Sequence, residues 1–301
     1  SNIETPVANQ GSGLIRSAIF SLLRYKNIRD SKKQATGDYV RPLIIGFEEP
    51  EIYLHPLAAV KMREEIYKLA SSEFNQIVCT THSPFMIDLS NKEDQVLNKL
   101  WLLPKEISMP SGLIQHDVIS SCAFNIEKAY KAVLADEKTY VKMLLKMDES
   151  IVKGFFIGKI LVVEGDTECV VIEKTLELMP ERKRHIIEFG WGIVRARGKA
   201  AIIALAKYFR AMSIDFKVMH DLDLRNEAAS AFNTPIIAAV EDANKVYGIE
   251  NCIEDLLGYD PPSKDKPYKA YQHISTNWHT YEDVPELWKS MIEEIFEVRD
   301  I

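Results

Sequence analysis

The stretch Lys159-Ile-Leu-Val-Val-Glu-Gly-Asp-Thr-Glu168 decides how the C-terminal half of this 301-residue chain is expected to fold. Its apolar run, Ile160 to Val163, has the length and composition of a buried strand. The strand ends in Glu164, the chain turns at Gly165, and a run with helical spacing follows. Open α/β sheets bind their ligands at the C-terminal ends of such strands. The stretch therefore predicts a carboxylate at a ligand-binding edge.

A second acidic motif follows a later strand of the same half. Phe216-Lys-Val-Met-His220 is predicted as a strand, and an Asp-Leu-Asp motif comes directly after it. Its two acids, Asp221 and Asp223, are separated by one residue and so point the same way. Glu164 and Glu168 are separated by a turn and the first turn of a helix, so both can face one ion. Such an oxygen cluster is what Mg²⁺ or Mn²⁺ binds.

Strands and helices alternate through this half of the chain. The pattern predicts strands at 160–163, 186–189 and 216–220, a glycine-rich loop at 190–192, and helices at 167–178 and 199–210. Alternation of this kind predicts a small parallel sheet flanked by helices.

Composition is typical of a soluble globular protein. Hydrophobic residues make up 47% of the chain, and no apolar run is long enough to span a bilayer. The four cysteines are far apart and lack the spacing of a zinc site. We therefore expect a cytoplasmic protein with buried free thiols and no membrane partner.

The net charge of −7 argues against a nucleic-acid partner, but the charge is unevenly distributed. The span from Arg182 to Arg210 carries eight Lys/Arg against one acid. It includes three candidate DNA contacts, namely Arg195, Arg197 and Lys199. Basic side chains of this kind position DNA through its phosphates. A solvated helix face is the alternative interpretation.

The N-terminal half contains another α/β pattern. An apolar strand beginning at Leu43 ends in Glu48 and Glu49, and a helix is predicted from Pro56 to about residue 69. A second strand, 76–80, ends in Thr81-His82-Ser83. Before these elements, a helical pattern starts after Gly11-Ser12-Gly13 and a polar, basic loop is predicted over 27–41. A strand–helix–strand unit implies a parallel sheet.

These motifs resemble the C-terminal part of an ABC-type ATPase. Residues 43–51 are similar to its Walker B strand, which implies that Glu48 holds magnesium through water and Glu49 activates the attacking water. Residues 52–56 are similar to its D-loop, and His82 to its switch histidine. Ser12 and Gly13, within Gln10-Gly-Ser-Gly13, are similar to a degenerate signature motif that caps the nucleotide of a partner subunit.

The phosphate-binding loop of such ATPases, G-x-x-x-x-G-K-[ST], does not occur in this sequence. Without its backbone cradle and lysine the β- and γ-phosphates have no primary site. We therefore expect that an N-terminal ATPase lobe is missing and that this chain alone neither binds nor hydrolyses ATP appreciably.

A connector is predicted between the two halves. It has short strands at 98–103 and 113–118, a helix from 124 to about 147, and a break near Gly154. The expected organisation is an ATPase portion over 1–122, a connector over 123–157, and a C-terminal domain over 158–301.

The acidic motifs resemble the Toprim domain of topoisomerases, primases and OLD (overcoming lysogenisation defect) nucleases. A partial ATPase, a connector and then Toprim is the order in OLD nucleases, including the Gabija nuclease subunit, and favours class 2. The resemblance implies a set of metal ligands: Glu164, Glu168, Asp221, Asp223 and Glu254, with Asp255 as the alternative to Glu254. It also implies that Glu164 is catalytic and that Lys266 stabilises the pentavalent phosphate.

The resemblance implies a DNA endonuclease that nicks or cuts both strands with two Mg²⁺ or Mn²⁺ ions, which clamp the attacking and leaving oxygens. In the full-length protein, ATP bound by the ATPase would regulate cleavage. The resemblance further implies a homodimer or larger homo-oligomer, a role in phage defence, and a superfamily-one helicase as a candidate partner. The alternatives are a non-cleaving ABC-type DNA clamp with a degenerate Toprim domain, or a primase- or topoisomerase-like enzyme.

Overall fold

The computed structural model describes residues 11–36, 39–89, 95–109, 112–147 and 149–301. The chain divides between Asp88 and Leu89 into two compact units, which are described separately below. The predicted connector, and the residues before it from Leu89 on, group with the C-terminal unit. The domain boundaries predicted from the sequence at 122/123 and 157/158 stay predictions. Within the described ranges, no helix is both long and apolar enough to cross a membrane, and all four cysteines are free and partly buried.

The N-terminal unit contains two helices and two parallel strands. Its elements are α1 (Ser12–Ala35), β1 (Leu43–Glu48), α2 (Pro56–Ala70), β2 (Asn75–Thr80) and a short 3₁₀ turn (Pro84–Met86). The strands pair from Leu43 opposite Asn75 to Glu48 opposite Thr80. Phe20, Met62, Ile66, Leu69 and Met86 form the core between the helices and one face of the sheet. The predicted strand–helix–strand unit is confirmed.

The predicted loop over residues 27–41 is largely helical, because α1 continues to Ala35. This segment lacks an apolar stripe, and its helix is stabilised by polar contacts. Lys26 Nζ lies 2.6 Å from the carboxylate of Asp30 one turn later, and the side chain of Asn27 accepts a hydrogen bond from Asn75. Periodicity alone therefore ends the helix too early.

The C-terminal unit begins with a long antiparallel hairpin, β3 (Val96–Met109) and β4 (Gly112–Asn125). Three helices follow: α3 (Ile126–Lys131), α4 (Ala135–Met147) and α5 (Glu149–Gly154). The predicted short strands are thus longer, and the predicted single helix is interrupted. The interruption occurs where the Glu137 side chain accepts the Leu134 N–H at 2.9 Å, which caps the start of α4.

The remainder forms a parallel sheet with helices around it. The elements are β5 (Lys159–Val163), α6 (Asp166–Leu178), α7 (Glu181–Gly190), β6 (Trp191–Arg195), α8 (Lys199–Ala211), β7 (Phe216–Asp221), α9 (Glu227–Ser230), α10 (Asn233–Val240), β8 (Val246–Ile249), α11 (Ile253–Leu257), α12 (Lys266–Asn277) and α13 (Glu286–Ile295). Across the described strands the order is β6-β5-β7-β8, all parallel. The predicted α/β class is confirmed, and β5 lies beside β7 in the interior of the sheet.

The predicted strand at 186–189 is wrong, because these residues end α7 and the strand is β6. A short apolar pair such as Ile186-Ile187 suits a helix and a strand equally. Only one member of the pair, Ile187, is buried, whereas Phe189 is 73% exposed, which is the one-sided burial of an amphipathic helix. In β6, Trp191 and Val194 provide the buried side chains instead.

Candidate metal centre

The C-terminal ends of β5 and β7 bring the two acidic motifs together. The strands are hydrogen-bonded neighbours with Val163 opposite Met219. Glu164 is the next residue after Val163, and Asp221 is the second residue after Met219, so the two acids lie near each other at this edge. The loops around them are fixed by main-chain bonds. Gly198 N–H donates to the Glu164 carbonyl at 3.0 Å, and Leu222 N–H donates to the Ile249 carbonyl at 2.7 Å. The carboxylates therefore project from a rigid edge of the sheet.

Glu168 lies in the first turn of α6 and is nearly fully buried. Its Oε2 accepts the Gly165 N–H at 3.1 Å, which caps the helix. A Cβ at position 165 would lie 3.3 Å from that oxygen, so glycine permits the close approach. Burial raises the pKa of Glu168 to about 7 against the backbone hydrogen bonds that lower it, and the charges of Glu164 and Glu254 add to the increase.

The carboxyl group of Asp221 has the most strongly raised pKa at this edge. Burial raises its pKa to about 8, and the neighbouring charges of Glu168, Glu164, Asp223 and Glu254 add to the increase. Burial also raises the pKa of Glu164, while the nearby Lys199 ammonium opposes the increase. These acids lie around the C-terminal ends of β5 and β7, close enough for their charges to act on one another. The group is here named the carboxylate pocket: Glu164, Glu168, Asp221, Asp223 and Glu254.

Glu254 comes from α11, which follows β8, and is 1% exposed. Within the described part of the chain, neither of its carboxylate oxygens accepts a hydrogen bond. The Lys266 ammonium lies 3.4 Å from Oε1. Burial lowers the pKa of Lys266, but the interactions with Glu254 and the charge of Asp221 together outweigh burial, so that the net shift is upward. The structure thus brings the predicted lysine and third acid together.

Asp255, the alternative to Glu254, has a different environment. Its carboxylate forms an ion pair with Arg225 at 3.2 Å and is partly exposed. Of these two adjacent acids, Glu254 is the one that shares the pocket with the Asp-Leu-Asp motif, because its charge contributes to the raised pKa of Asp221.

Lys199 is buried instead of lying on an exposed basic surface. It is the first residue of α8, and its Nζ lies 2.7 Å from Oδ2 of Asp223, a residue in the left-handed region with φ of 51°. In this arrangement the ammonium is unavailable to a DNA phosphate. Arg195 is partly exposed and pairs with Asp166 at 2.7 Å. Arg197 is exposed.

Two further residues of the site escaped sequence reasoning. His220 is buried at the end of β7, and its Nδ1 lies 2.8 Å from the Asp221 carbonyl oxygen. The side-chain amide of Asn233, at the start of α10, donates to the Leu222 carbonyl at 2.8 Å. The Asn233 contact depends on the folded loop after β7, which no local pattern indicates, whereas the His220 contact is local but the apolar strand pattern gave no reason to single it out.

The donor set of the carboxylate pocket fits a hard divalent cation. Glu164 Oε2, Asp221 Oδ1 and Glu254 Oε2 are buried without a hydrogen bond among the described residues, and a cation would satisfy them. Glu254 Oε1 is also buried, with the Lys266 ammonium 3.4 Å away. The geometry is not preformed: in the described ranges no three His, Cys, Asp or Glu side chains are already arranged to hold a metal ion. Binding therefore requires side-chain rearrangement.

The ATPase-type residues lie in the N-terminal unit. Glu48 ends β1, and Glu49 follows in the left-handed region with φ of 39°. His82 Nε2 lies 3.3 Å from Glu49 Oε1, so the structure brings this predicted pair together. Ser12 and Gly13 lie in the first turn of α1, whereas Gln10 is outside the described residues.

Comparison with known protein families gives one match in each unit. Residues 1–87 match the family model described as AAA ATPase domain. Residues 155–223 match the one described as overcoming lysogenization defect protein-like, TOPRIM domain.

Two curated relatives extend this comparison. The chain is 25% identical over 260 residues to the OLD nuclease of Thermus scotoductus, which covers 80% of this chain and 45% of the relative. It is 24% identical over 217 residues to the Old nuclease of Escherichia phage P2, covering 72% and 33% respectively. The chain thus spans less than half the length of either relative. With a match to an AAA ATPase domain followed by a match to an OLD-like Toprim domain, the chain is similar to OLD nucleases.

Proposed function

We propose that the carboxylate pocket is the active site of a metal-dependent DNA endonuclease. The observation that carries the proposal is the group of buried carboxylate oxygens without hydrogen bonds on Glu164, Asp221 and Glu254. Burying several carboxylates together is unfavourable unless a cation compensates them. Two relatives that are named nucleases support DNA as the substrate class.

The five carboxylates would hold one or two Mg²⁺ or Mn²⁺ ions. Bound ions of this kind lower the pKa of water and neutralise charge on the attacking and leaving oxygens of a phosphodiester. Glu164 lies at the strand end with Oε2 free of hydrogen bonds, which suits it to orient the attacking water or accept its proton. Lys266, beside Glu254, would donate to a non-bridging phosphate oxygen.

DNA would approach along the rim that contains the exposed Arg197 and the partly exposed Arg195. These side chains would contact phosphates and give no sequence selection. The loop that carries Arg197 is bonded to the Glu164 carbonyl through Gly198. A phosphate held by Arg197 would therefore be placed close to the carboxylate pocket.

In the whole protein, the ATPase domain would control cleavage. Glu49 and His82 lie side by side. In this arrangement Glu49 would activate the attacking water while His82 contacts the γ-phosphate of ATP. Nucleotide binding would need a phosphate loop, which this sequence does not contain. Signature residues Ser12 and Gly13 would act across a homo-oligomer. A role in phage defence and a superfamily-one helicase partner remain proposals from the family resemblance.

A plasmid-nicking assay with Mn²⁺ or Mg²⁺ tests the proposal. Wild type is expected to relax or linearise supercoiled DNA. Glu254→Gln is expected to reduce the rate by at least about 100-fold, because even loss of an outer-shell partner of a metal ligand costs about 10- to 100-fold. Asp255→Asn is the matched control, because this neighbouring acid pairs with Arg225 instead.

No cleavage by wild type with either metal would contradict the proposal. DNA binding without cleavage would favour the non-cleaving clamp. Equal rates for the two variants would remove Glu254 from the active site.

A further inference from the structure

Lys199 is a buried lysine inside an acidic pocket. Its side chain is 5% exposed, and its Nζ lies 2.7 Å from Asp223 Oδ2. The same ammonium donates to the Ala229 carbonyl at 3.2 Å and to Asn233 Oδ1 at 3.3 Å. An ammonium has three donors, and these three acceptors satisfy all of them. Such full pairing is what allows a charged lysine to be buried.

The contacts of Lys199 connect three elements around the Asp-Leu-Asp motif. Asn233, which accepts from Lys199, also donates to the Leu222 carbonyl. Asp223 N–H donates to the Asn251 carbonyl at 3.2 Å. The network therefore joins the start of α8 to three other segments, namely α9, the start of α10 and the loop after β7. Asp223 is held from both its side chain and its main chain.

The charge of Lys199 acts on more than one carboxylate of the pocket. Besides pairing with Asp223, it lowers the pKa of Glu164 against the effect of burial. Lys266 is a second cation at the pocket, beside Glu254. Asp223 Oδ2 is already engaged, so it has to leave or share the Lys199 ammonium before it can coordinate a divalent ion.

We propose that Lys199 is a resident cation of the carboxylate pocket, which competes with the divalent ion for Asp223 and thereby sets the metal affinity. The inference rests on the proposed metal-dependent function. Lys199 is thus a positioning residue that acts through Asp223. Its charge stabilises the pocket when little metal is bound, and it restricts ion binding to conditions in which the ion can displace or share it.

Mn²⁺ binding, measured by electron paramagnetic resonance at pH 8.5, tests the competition directly. Lys199→Met removes the charge, and Lys199→Gln removes the charge but keeps a donor for Asp223. Both are expected to bind Mn²⁺ at least about tenfold more tightly than wild type, because a repelling charge a few ångströms from the ion is lost. Lys199→Arg is expected to stay within about threefold of wild type.

Lys207→Met is the matched control. Lys207 lies on the same helix and forms an ion pair with Glu137 at 2.6 Å, so the change removes a paired lysine of α8. Mn²⁺ affinity is expected to be unchanged. Thermal melts in EDTA confirm folding, and Lys199→Gln replaces Lys199→Met if the latter does not fold.

Unchanged or weaker Mn²⁺ binding by the neutral variants would overturn the inference, because a purely structural lysine would loosen the site on removal. Absence of Mn²⁺ binding by wild type would instead overturn the proposed function. The two failures are therefore distinguishable without measuring cleavage.

Discussion

Asp221→Asn is expected to make the protein more stable at alkaline pH while abolishing its response to metal. Burial and four neighbouring acids raise the pKa of Asp221 from 3.8 to about 8. The folded state therefore holds the proton more tightly than the unfolded state. The stability gained from this protonation is fully present below about pH 4 and is lost as the pH rises through about 8. Asparagine carries no such charge.

The magnitude follows from the size of the pKa shift. A displacement of about four pKa units corresponds to roughly 5 kcal/mol of unfavourable free energy for the ionised group. The effects of Asp221 and of neighbouring acids such as Glu168 are not additive, because these groups act on one another. We therefore expect the single substitution to stabilise the folded state by about 2 kcal/mol at pH 9. For a unit of this size, that corresponds to a rise in Tm of about 4–8 °C. At pH 5, only about one pH unit above the unfolded-state pKa of 3.8, the difference is expected to be roughly a quarter as large.

Thermal unfolding of wild type and Asp221→Asn in EDTA, at pH 5 and pH 9, provides the assay. Asp255→Asn is the control, because its carboxylate is partly exposed and paired with Arg225. Added Mn²⁺ is expected to raise the Tm of wild type and to leave Asp221→Asn unchanged. A Tm difference that is equal at both pH values, or a lower Tm for Asp221→Asn at pH 9, would refute the reasoning.

Three further outcomes follow from the same geometry. The initial rate of metal-dependent nicking is expected to rise between pH 6 and 8.5. The raised pKa values of Glu168, about 7, and Asp221, about 8, keep these carboxyl groups protonated at lower pH. A flat pH profile would contradict this. Gly165→Ala is expected to weaken Mn²⁺ binding by about tenfold in calorimetry, because the added Cβ would lie 3.3 Å from Glu168 Oε2. An unchanged Mn²⁺ affinity would contradict this and show that the Glu168 side chain adjusts freely. Trp288→Phe is expected to lower the free energy of unfolding in urea by about 2 kcal/mol, because it deletes the buried hydrogen bond from Nε1 to Thr175 Oγ1. A loss of less than about 0.5 kcal/mol would contradict this.

The sheet edge could be predicted from the sequence because its signals are local. β5 is an uninterrupted apolar run, and its acid is the next residue along the chain. Since parallel strands end at the same edge, Glu164 and Asp221 had to lie near each other once the strand order was assumed. Glu254 and Lys266 were assigned from the family resemblance, and the structure brings them together at 3.4 Å.

Other features depend on contacts that no window of sequence contains. A lysine is exposed in most proteins, and the burial of Lys199 follows from its pairing with Asp223 and Asn233 much later in the chain. The exchange of strand and helix around Ile187 has a different cause. Short apolar runs fit both periods, and the choice is made by which side chains the neighbouring elements cover.

Anomalous diffraction from crystals of the chain soaked in Mn²⁺ shows whether the carboxylate pocket binds the divalent ions proposed for cleavage. We expect anomalous density within about 2.5 Å of carboxylate oxygens of Glu164, Asp221 and Glu254. Density elsewhere, or no density in the pocket at saturating Mn²⁺, would contradict it.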